Sequence, residues 1–158
     1  LSRVTRQEMR LQDVDISRKA REIIEEFCKI NPSRDVTVEI QDGVVVRADP
    51  NLMSILLTNL LENAWKFTEH CDQARIEFKA DRRDGGTVVQ VRDNGAGFDM
   101  KYVEKIFTAF QRLHRAEEYP GTGIGLATVQ RIVHRHGGRI WAEGETGKGA
   151  AFYFTLGE

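Results

Sequence analysis

Asn59 and Asn63 stand four residues apart, and Lys66 and Phe67 follow within the next turn. On an α-helix, at about 100° per residue, these four side chains fall within roughly 100° of arc. Asparagine is a poor residue for a helix interior, so two of them one turn apart call for a reason. A solvated polar face is one. An oxygen-rich site is the other: amide oxygens ligate Mg²⁺, and an ammonium group one turn further on meets phosphate.

A second cluster, Arg92-Asp93-Asn94-Gly95-Ala96-Gly97-Phe98, follows a strand-like run. Asp-Asn-Gly alone marks a common turn. Here it leads toward a helical segment from Met100 rather than into a partner strand. A carboxylate at a strand end, with Gly95 and Gly97 permitting close backbone approach, can accept the exocyclic amino proton of adenine. A third string, Gly121-Thr122-Gly123-Ile124-Gly125-Leu126, opens a helix, where bare backbone N–H groups form an anion site for phosphates. It is not a dinucleotide fingerprint, because a proline-containing polar loop precedes it instead of a strand, and no Gly-Lys-Ser/Thr makes it a P-loop. Between these clusters lie Phe107 and Phe110, one turn apart, which either pack in the core or clamp the base of a loop over residues 111–120. That loop carries Arg112, His114 and Arg115, which can reach a terminal phosphate on closure.

These residues need elements to hold them. Leu1, Val4, Glu8 and Leu11 are spaced by threes and fours, as in a surface helix or in the tail of a coiled-coil helix. Residues 17–30 have an apolar helical face of Ala20, Ile23, Ile24, Phe27 and Cys28, ended by Asn31-Pro32. Residues 36–40 alternate as a strand, and Val44, Val45 and Val46 follow after the turn residues Asp42-Gly43. Asp49-Pro50 opens the asparagine-bearing helix, residues 51–68, with Leu57, Leu60, Leu61 and Ala64 toward the core. Strands are expected over 74–79 and 87–92, joined at Asp84-Gly85-Gly86. A helix over 123–136 is closed by Gly137-Gly138, and strands over 139–142 and 151–156 end the chain. Helices covering one face of a largely antiparallel sheet make an α+β two-layer sandwich.

The chain has 158 residues, enough for one domain with a single core. Its 41% hydrophobic and 30% charged residues fit a globular fold. A formal net charge of −1 gives no footprint for nucleic acid, and no apolar run is long enough to span a bilayer. Cys28 and Cys71 lack metal or redox spacing and are expected as reduced thiols in the cytoplasm. Because the first residue is Leu1 rather than methionine, a fragment of a longer chain is expected.

Taken in order, the asparagine helix, Asp-x-Gly-x-Gly, Phe-x-x-Phe and Gly-x-Gly-x-Gly-Leu resemble the N, G1, F and G2 boxes of the histidine-kinase branch of the GHKL superfamily, which also holds gyrase, MutL and heat-shock chaperone ATPases. The similarity runs from about Val14 to Leu156. The segments Leu113-His114-Arg115 and Gly138-Arg139-Ile140-Trp141 particularly resemble phytochrome-like and PAS-containing sensor kinases. The resemblance implies a Bergerat ATP-binding fold, a mixed and mostly antiparallel sheet backed by about three helices, holding ATP and Mg²⁺ under a lid. It makes Asn63 the Mg²⁺ ligand and brings Asn59 to the metal–phosphate cluster, with Lys66 on phosphate; these three form the catalytic set. Phe67 would pack on the adenine side, Asp93 would bind the adenine amino group, and Gly95 and Gly97 would shape that loop. Phe107, Phe110 and Arg112 would flank the nucleotide. Gly121, Gly123 and Gly125, with Ile124 and Leu126, would line the lid hinge and phosphates, and Thr122 is a phosphate donor. Gly147-Lys148-Gly149 sits where the family often places a further glycine motif. Residues 1–14 would end a dimerisation helix and linker, and 15–158 would form the catalytic ATP-binding domain.

The family's phosphoacceptor box, a histidine followed by an acidic residue and a proline, is absent, since His70, His114, His134 and His136 all have other neighbours. The expected reaction is therefore ATP-dependent phosphorylation of a histidine on a separate dimerisation domain of the same homodimeric parent, ahead of a response-regulator receiver domain in two-component signalling. A GHKL-type ATPase is the alternative, but its water-activating glutamate would occupy position 59, which is asparagine, while Glu62 points about 100° away from Asn63. A nucleotide-sensing module without turnover is another alternative, and the intact boxes weigh against it.

Overall fold

The computed structural model describes residues 8–83, 86–107 and 125–157. Within them the order is β1 (Gln12–Asp15), α1 (Ile16–Ile30), β2 (Val36–Ile40), β3 (Val45–Ala48), α2 (Pro50–Phe67), β4 (Ala74–Arg83), β5 (Gly86–Asp93), a 3₁₀ turn (Met100–Tyr102), α3 (Gly125–Arg135), β6 (Ile140–Glu145) and β7 (Gly149–Phe154). The main sheet has the order β2-β4-β5-β7-β6, with β2 parallel to β4 and the other pairs antiparallel. The helices lie on one face of it, where Ile76, Phe78, Val89, Val91, Phe152 and Phe154 meet the leucines of α2. The architecture is the α+β two-layer sandwich that the pattern predicts. Among the described residues no helix is long and apolar enough to cross a membrane.

Each helix is fixed at its ends by short-range chemistry. Asp15 caps α1 by accepting from the Arg18 N–H at 3.0 Å. Asp49 caps α2, with Oδ1 accepting from the Asn51 and Leu52 N–H groups at 2.9 and 3.0 Å, and Pro50 sits where a missing N–H is harmless. At the end of α3, Gly137 adopts φ +76°, and the Gly138 N–H donates back to the Val133 carbonyl at 3.0 Å. Helix α2 runs through the middle of the core, burying Leu57, Leu60, Leu61 and Ala64 as expected, together with Leu52, Met53, Leu56 and Trp65.

The two strands on either side of the Asp42-Gly43 turn do not pair with each other. β2 joins the main sheet beside β4, whereas β3 pairs antiparallel with β1 in a separate two-stranded sheet, Val14 opposite Val46. Ser17 accounts for the divergence: its hydroxyl donates to the Gln41 carbonyl at 2.5 Å and accepts from the Val44 N–H at 3.0 Å. The connection is thereby pinned to α1 instead of closing on itself. Of the proposed N-terminal helical stripe, Leu1 and Val4 lie outside the described residues. Glu8 and Leu11 are exposed and not helical, and the chain enters β1 immediately afterwards.

Arg34 closes the C-terminal end of α2. Its guanidinium donates to the Trp65 carbonyl at 2.6 Å and the Thr68 hydroxyl at 3.1 Å, and stacks 4.6 Å from the Trp65 ring centroid. A cation at that end of a helix also meets the dipole favourably. Arg34→Ala should destabilise the fold by about 2–3 kcal/mol, through lost charge-assisted bonds and stacking. Arg34→Lys should recover only part of it, lacking the fork. Urea unfolding of the three proteins measures this, and an alanine variant as stable as the parent would refute the capping role.

Candidate functional site

Asn59, Asn63, Lys66 and Phe67 all lie on α2 and are half-buried, beside its buried leucine face. From Asn59 to Phe67 the helix rises about 12 Å. Both ends of this polar stripe are met by other elements. At the first end, the Asn59 amide nitrogen donates to the Ile55 carbonyl at 2.9 Å, and its oxygen faces the start of α3. Gly125, the first residue of α3, lies directly over it: a Cβ at Gly125 would come within 2.9 Å of Asn59 Oδ1. A side chain there would push the Asn59 amide aside, so the glycine lets the start of α3 lie directly on that oxygen.

At the second end, the loop after β5 wraps the last turn of α2. The Ala96 N–H donates to the Phe67 carbonyl at 2.9 Å, and a Cβ at Gly95 would collide with that same carbonyl. Asp93 is buried here, its Oδ1 accepting from the Gly95 N–H at 2.8 Å. Burial pushes the Asp93 carboxyl up to about 6, against the opposing pull of the Gly95 and Ala150 backbone hydrogen bonds and of Arg92. A buried carboxyl group raised in this way by desolvation makes Asp93 a candidate functional position. Lys66 Nζ lies 5.4 Å from the Phe67 ring centroid. Cys71, whose thiol hydrogen-bonds the Asn94 carbonyl at 3.3 Å, is held protonated by burial and by the negative charge of Asp93.

The structure therefore brings Asn59, Asn63, Lys66, Phe67, Asp93, Gly95 and Gly125 to one stretch of surface. Gly97 takes φ +66° and packs against the carbonyl of Glu145 at the β6–β7 turn. Phe107 is buried edge-on to Phe152, with centroids 6.2 Å apart, and so serves the core. Leu126 packs partly buried against the core. Phe110, Arg112, Gly121, Thr122, Gly123 and Ile124 lie outside the described residues, as do His114 and Arg115. Gly149 proves more important than its sequence suggested. At φ +121° it sits against the backbone of Asp93, leaving no room for a Cβ. Its pairing opposite Glu145 at the start of β7 could be read only from the fold. Asn94 is also structural, bridging the Gln73 carbonyl and the Arg75 N–H.

Chemically, the stripe offers amide oxygens at one end, and an ammonium and a buried carboxyl at the other. Among the described residues no three His, Cys, Asp or Glu side chains gather in one place. A cation at the asparagine end would thus be held by amide oxygens together with oxygens of its ligand, a donor set that suits Mg²⁺ on phosphates.

Known proteins match this chain widely. Residues 48–158 match the family described as histidine kinase-, DNA gyrase B-, and HSP90-like ATPase. Cyanobacterial phytochrome A of Nostoc sp. is 43% identical over 111 residues, which is 70% of this chain and 14% of that protein. The sensor histidine kinase WalK of Bacillus subtilis is 34% identical over 133 residues, 83% of this chain and 20% of that one. The chain thus spans no more than about a fifth of these relatives. In structure, full-length ShkA crystallised with AMPPNP superposes with a TM-score of 0.79 at 28% identity, covering 98% of this chain and 33% of that one.

Proposed function

We infer, from the histidine kinase-, DNA gyrase B-, and HSP90-like ATPase family to which this chain belongs, that it binds Mg-ATP and transfers the γ-phosphoryl group to a histidine. That histidine is carried by a separate dimerisation domain of the same homodimeric parent, and the phosphoryl group passes on to a response-regulator receiver domain, the output of a cytoplasmic two-component pathway. The observation that carries the reading is the two-ended stripe on α2, with the Asn59 amide oxygen beneath Gly125 and the buried Asp93 carboxyl beside Phe67. Adenine fits the Asp93 end, where the ionised carboxylate accepts its amino proton. The phosphates then run toward Asn63, Asn59 and the start of α3. Lys66 adds positive charge along the way. Mg²⁺ held by Asn63, with Asn59, would supply neutralisation of the phosphate charge.

The chain's own contribution is positioning. The γ-phosphorus is presented for in-line attack by an imidazole nitrogen, a new N–P bond forms, and the bond to the β–γ bridging oxygen breaks, releasing ADP. Asn59 replaces the carboxylate that a hydrolase would use to activate water, and Glu62 beside Asn63 is exposed. This favours transfer over hydrolysis.

The test is incubation of the chain with γ-labelled ATP, alone and with a dimerisation domain bearing an acceptor histidine. Acid-labile label should appear on the added domain and be lost in Asn63→Ala, with little label on the chain itself. Steady phosphate release near 1 s⁻¹ without acceptor, a low-end enzymatic turnover, would instead establish the hydrolase reading.

A further inference from the structure

We infer that His136 is a positioning residue for the phosphate end of the site: its neutral imidazole ties the end of α3 to the start of α2, and so holds the first residue of α3 over Asn59. The two helices run antiparallel. Gly125 opens α3 against Asn59, and His136, just past the last residue of α3, meets Asp49, the cap of α2. The two spans match in length. Asp49 to Asn59 is ten residues, a rise of about 15 Å, and Gly125 to His136 is eleven, about 16 Å.

The contact at Asp49 is buried, with both residues 8% exposed. The Asp49 carboxylate accepts from the N–H groups of Arg10, Asn51 and Leu52, at 2.9, 2.9 and 3.0 Å. Its own backbone N–H donates to His136 Nε2 at 3.2 Å. A ring nitrogen that accepts carries no proton, so the proton of the neutral imidazole is on Nδ1, which faces the Ile132 carbonyl at 2.8 Å. That bond fixes the ring on its own helix. The His136 carbonyl accepts from the Gly157 N–H at 2.8 Å, so the ring belongs to an anchored end of α3.

The buried side chains of α3 itself are Val129, Ile132 and Val133. Apolar burial is non-directional, so it holds α3 in the core without setting how far along α2 it lies. The bond to Asp49 does set that register. A rigid helix carries a displacement from one end to the other, so a slip at His136 moves Gly125 off Asn59.

This role rests on the assignment of the phosphates to the Asn59 end, and it predicts a division within one ligand. Apparent affinity falls with the fraction of molecules whose site is in register. His136→Leu keeps much of the bulk and removes the acceptor. It should weaken Mg-ATP about five- to tenfold, the equivalent of one net hydrogen bond. Adenosine, which reaches only the Asp93 end, should stay within about twofold. His136→Gln places an amide oxygen as many bonds from Cα as Nε2 is, and should restore most of the Mg-ATP affinity. Calorimetry measures Mg-ATP, the Gly95 amide NMR signal follows adenosine, and thermal melts verify folding. Unchanged Mg-ATP affinity in a folded leucine variant, an equal loss for adenosine, or a glutamine variant as weak as leucine would each overturn the role. If the leucine variant does not fold, His136→Asn, polar but one bond too short, replaces it, and loss of the fold in both would assign His136 to stability instead. A parent chain that lacks either binding would remove the nucleotide reading, and this role with it.

Discussion

Asp93→Asn should give a protein that is more stable at neutral pH yet binds adenine nucleotide ten- to a hundredfold more weakly. The stability part follows from the titration of the buried carboxyl. Its folded value of about 6 lies above the ordinary 3.8, so the fold favours the protonated form. The contribution of this group to stability is complete below the unfolded value and is lost as pH rises through about 6. Above that, ionising Asp93 inside the fold costs up to about 3 kcal/mol relative to the unfolded chain. An amide carries no such penalty and can still accept from the Gly95 N–H. The variant should therefore melt several degrees higher at pH 8 and show no such gain at pH 4, where the parent is also neutral. Binding moves the other way. The carboxylate accepts the adenine amino proton through a charge-assisted bond worth about 1.5–3 kcal/mol, which the amide loses. Parent affinity should also fall about tenfold between pH 7 and pH 5 as Asp93 takes up its proton, and the variant should not share that fall. Calorimetry at the two pH values, beside thermal melts, tests both halves. A variant that is less stable at pH 8, or that binds ATP as tightly as the parent, would remove Asp93 from the adenine site.

Much of the fold was legible because helices announce both their faces and their ends. The leucines of α2, its Asp49-Pro50 start and the Gly137-Gly138 stop of α3 all act locally, and each sits within a residue or two of its expected place. Strand pairing was not legible in the same way. The alternation in Val36–Ile40 marks a strand but says nothing of its neighbour, and its partner Ala74–Arg83 is more than thirty residues away. Gln12–Asp15 escaped detection because three of its four residues are exposed and none but Val14 is apolar. The site divides similarly. Asn59, Asn63 and Asp93 stand out as candidates from residue type, since an asparagine pair in a helix and a carboxyl before two glycines are costly without a purpose. Arg34 and Gly149 were not, because what they touch, the end of α2 and the backbone of Asp93, exists only in three dimensions.

Gly97 and Gly147 offer a direct test of why the Asp93 loop contains glycine at all. Both adopt positive φ, +66° and +78°. They differ in surroundings: a Cβ at Gly147 would meet nothing within 4 Å, whereas one at Gly97 would overlap the Glu145 carbonyl and approach the Gly149 carbonyl to 2.7 Å. Gly147→Ala should therefore cost only the conformational penalty, about 1–2 kcal/mol, and leave nucleotide affinity intact. Gly97→Ala bears the same penalty, and it must also push the loop off the β6–β7 turn. That shift breaks the bond from the Gly147 N–H to the Ala96 carbonyl, 2.7 Å in length. A loss of at least about 4 kcal/mol is expected, a large share of the roughly 5–15 kcal/mol that holds a domain together. Because Ala96 also anchors to the Phe67 carbonyl, the same shift moves Asp93 relative to α2, so any folded Gly97→Ala protein should bind nucleotide poorly. Denaturant unfolding of both variants, with ATP titration of whichever fold, measures the contrast. Equal losses in the two would show that backbone conformation alone selects glycine here. A much larger loss at Gly97 would show that the loop is held in place by close packing against the β6–β7 turn, and that this contact, more than the ligand's approach, is what the second glycine of Asp-x-Gly-x-Gly serves.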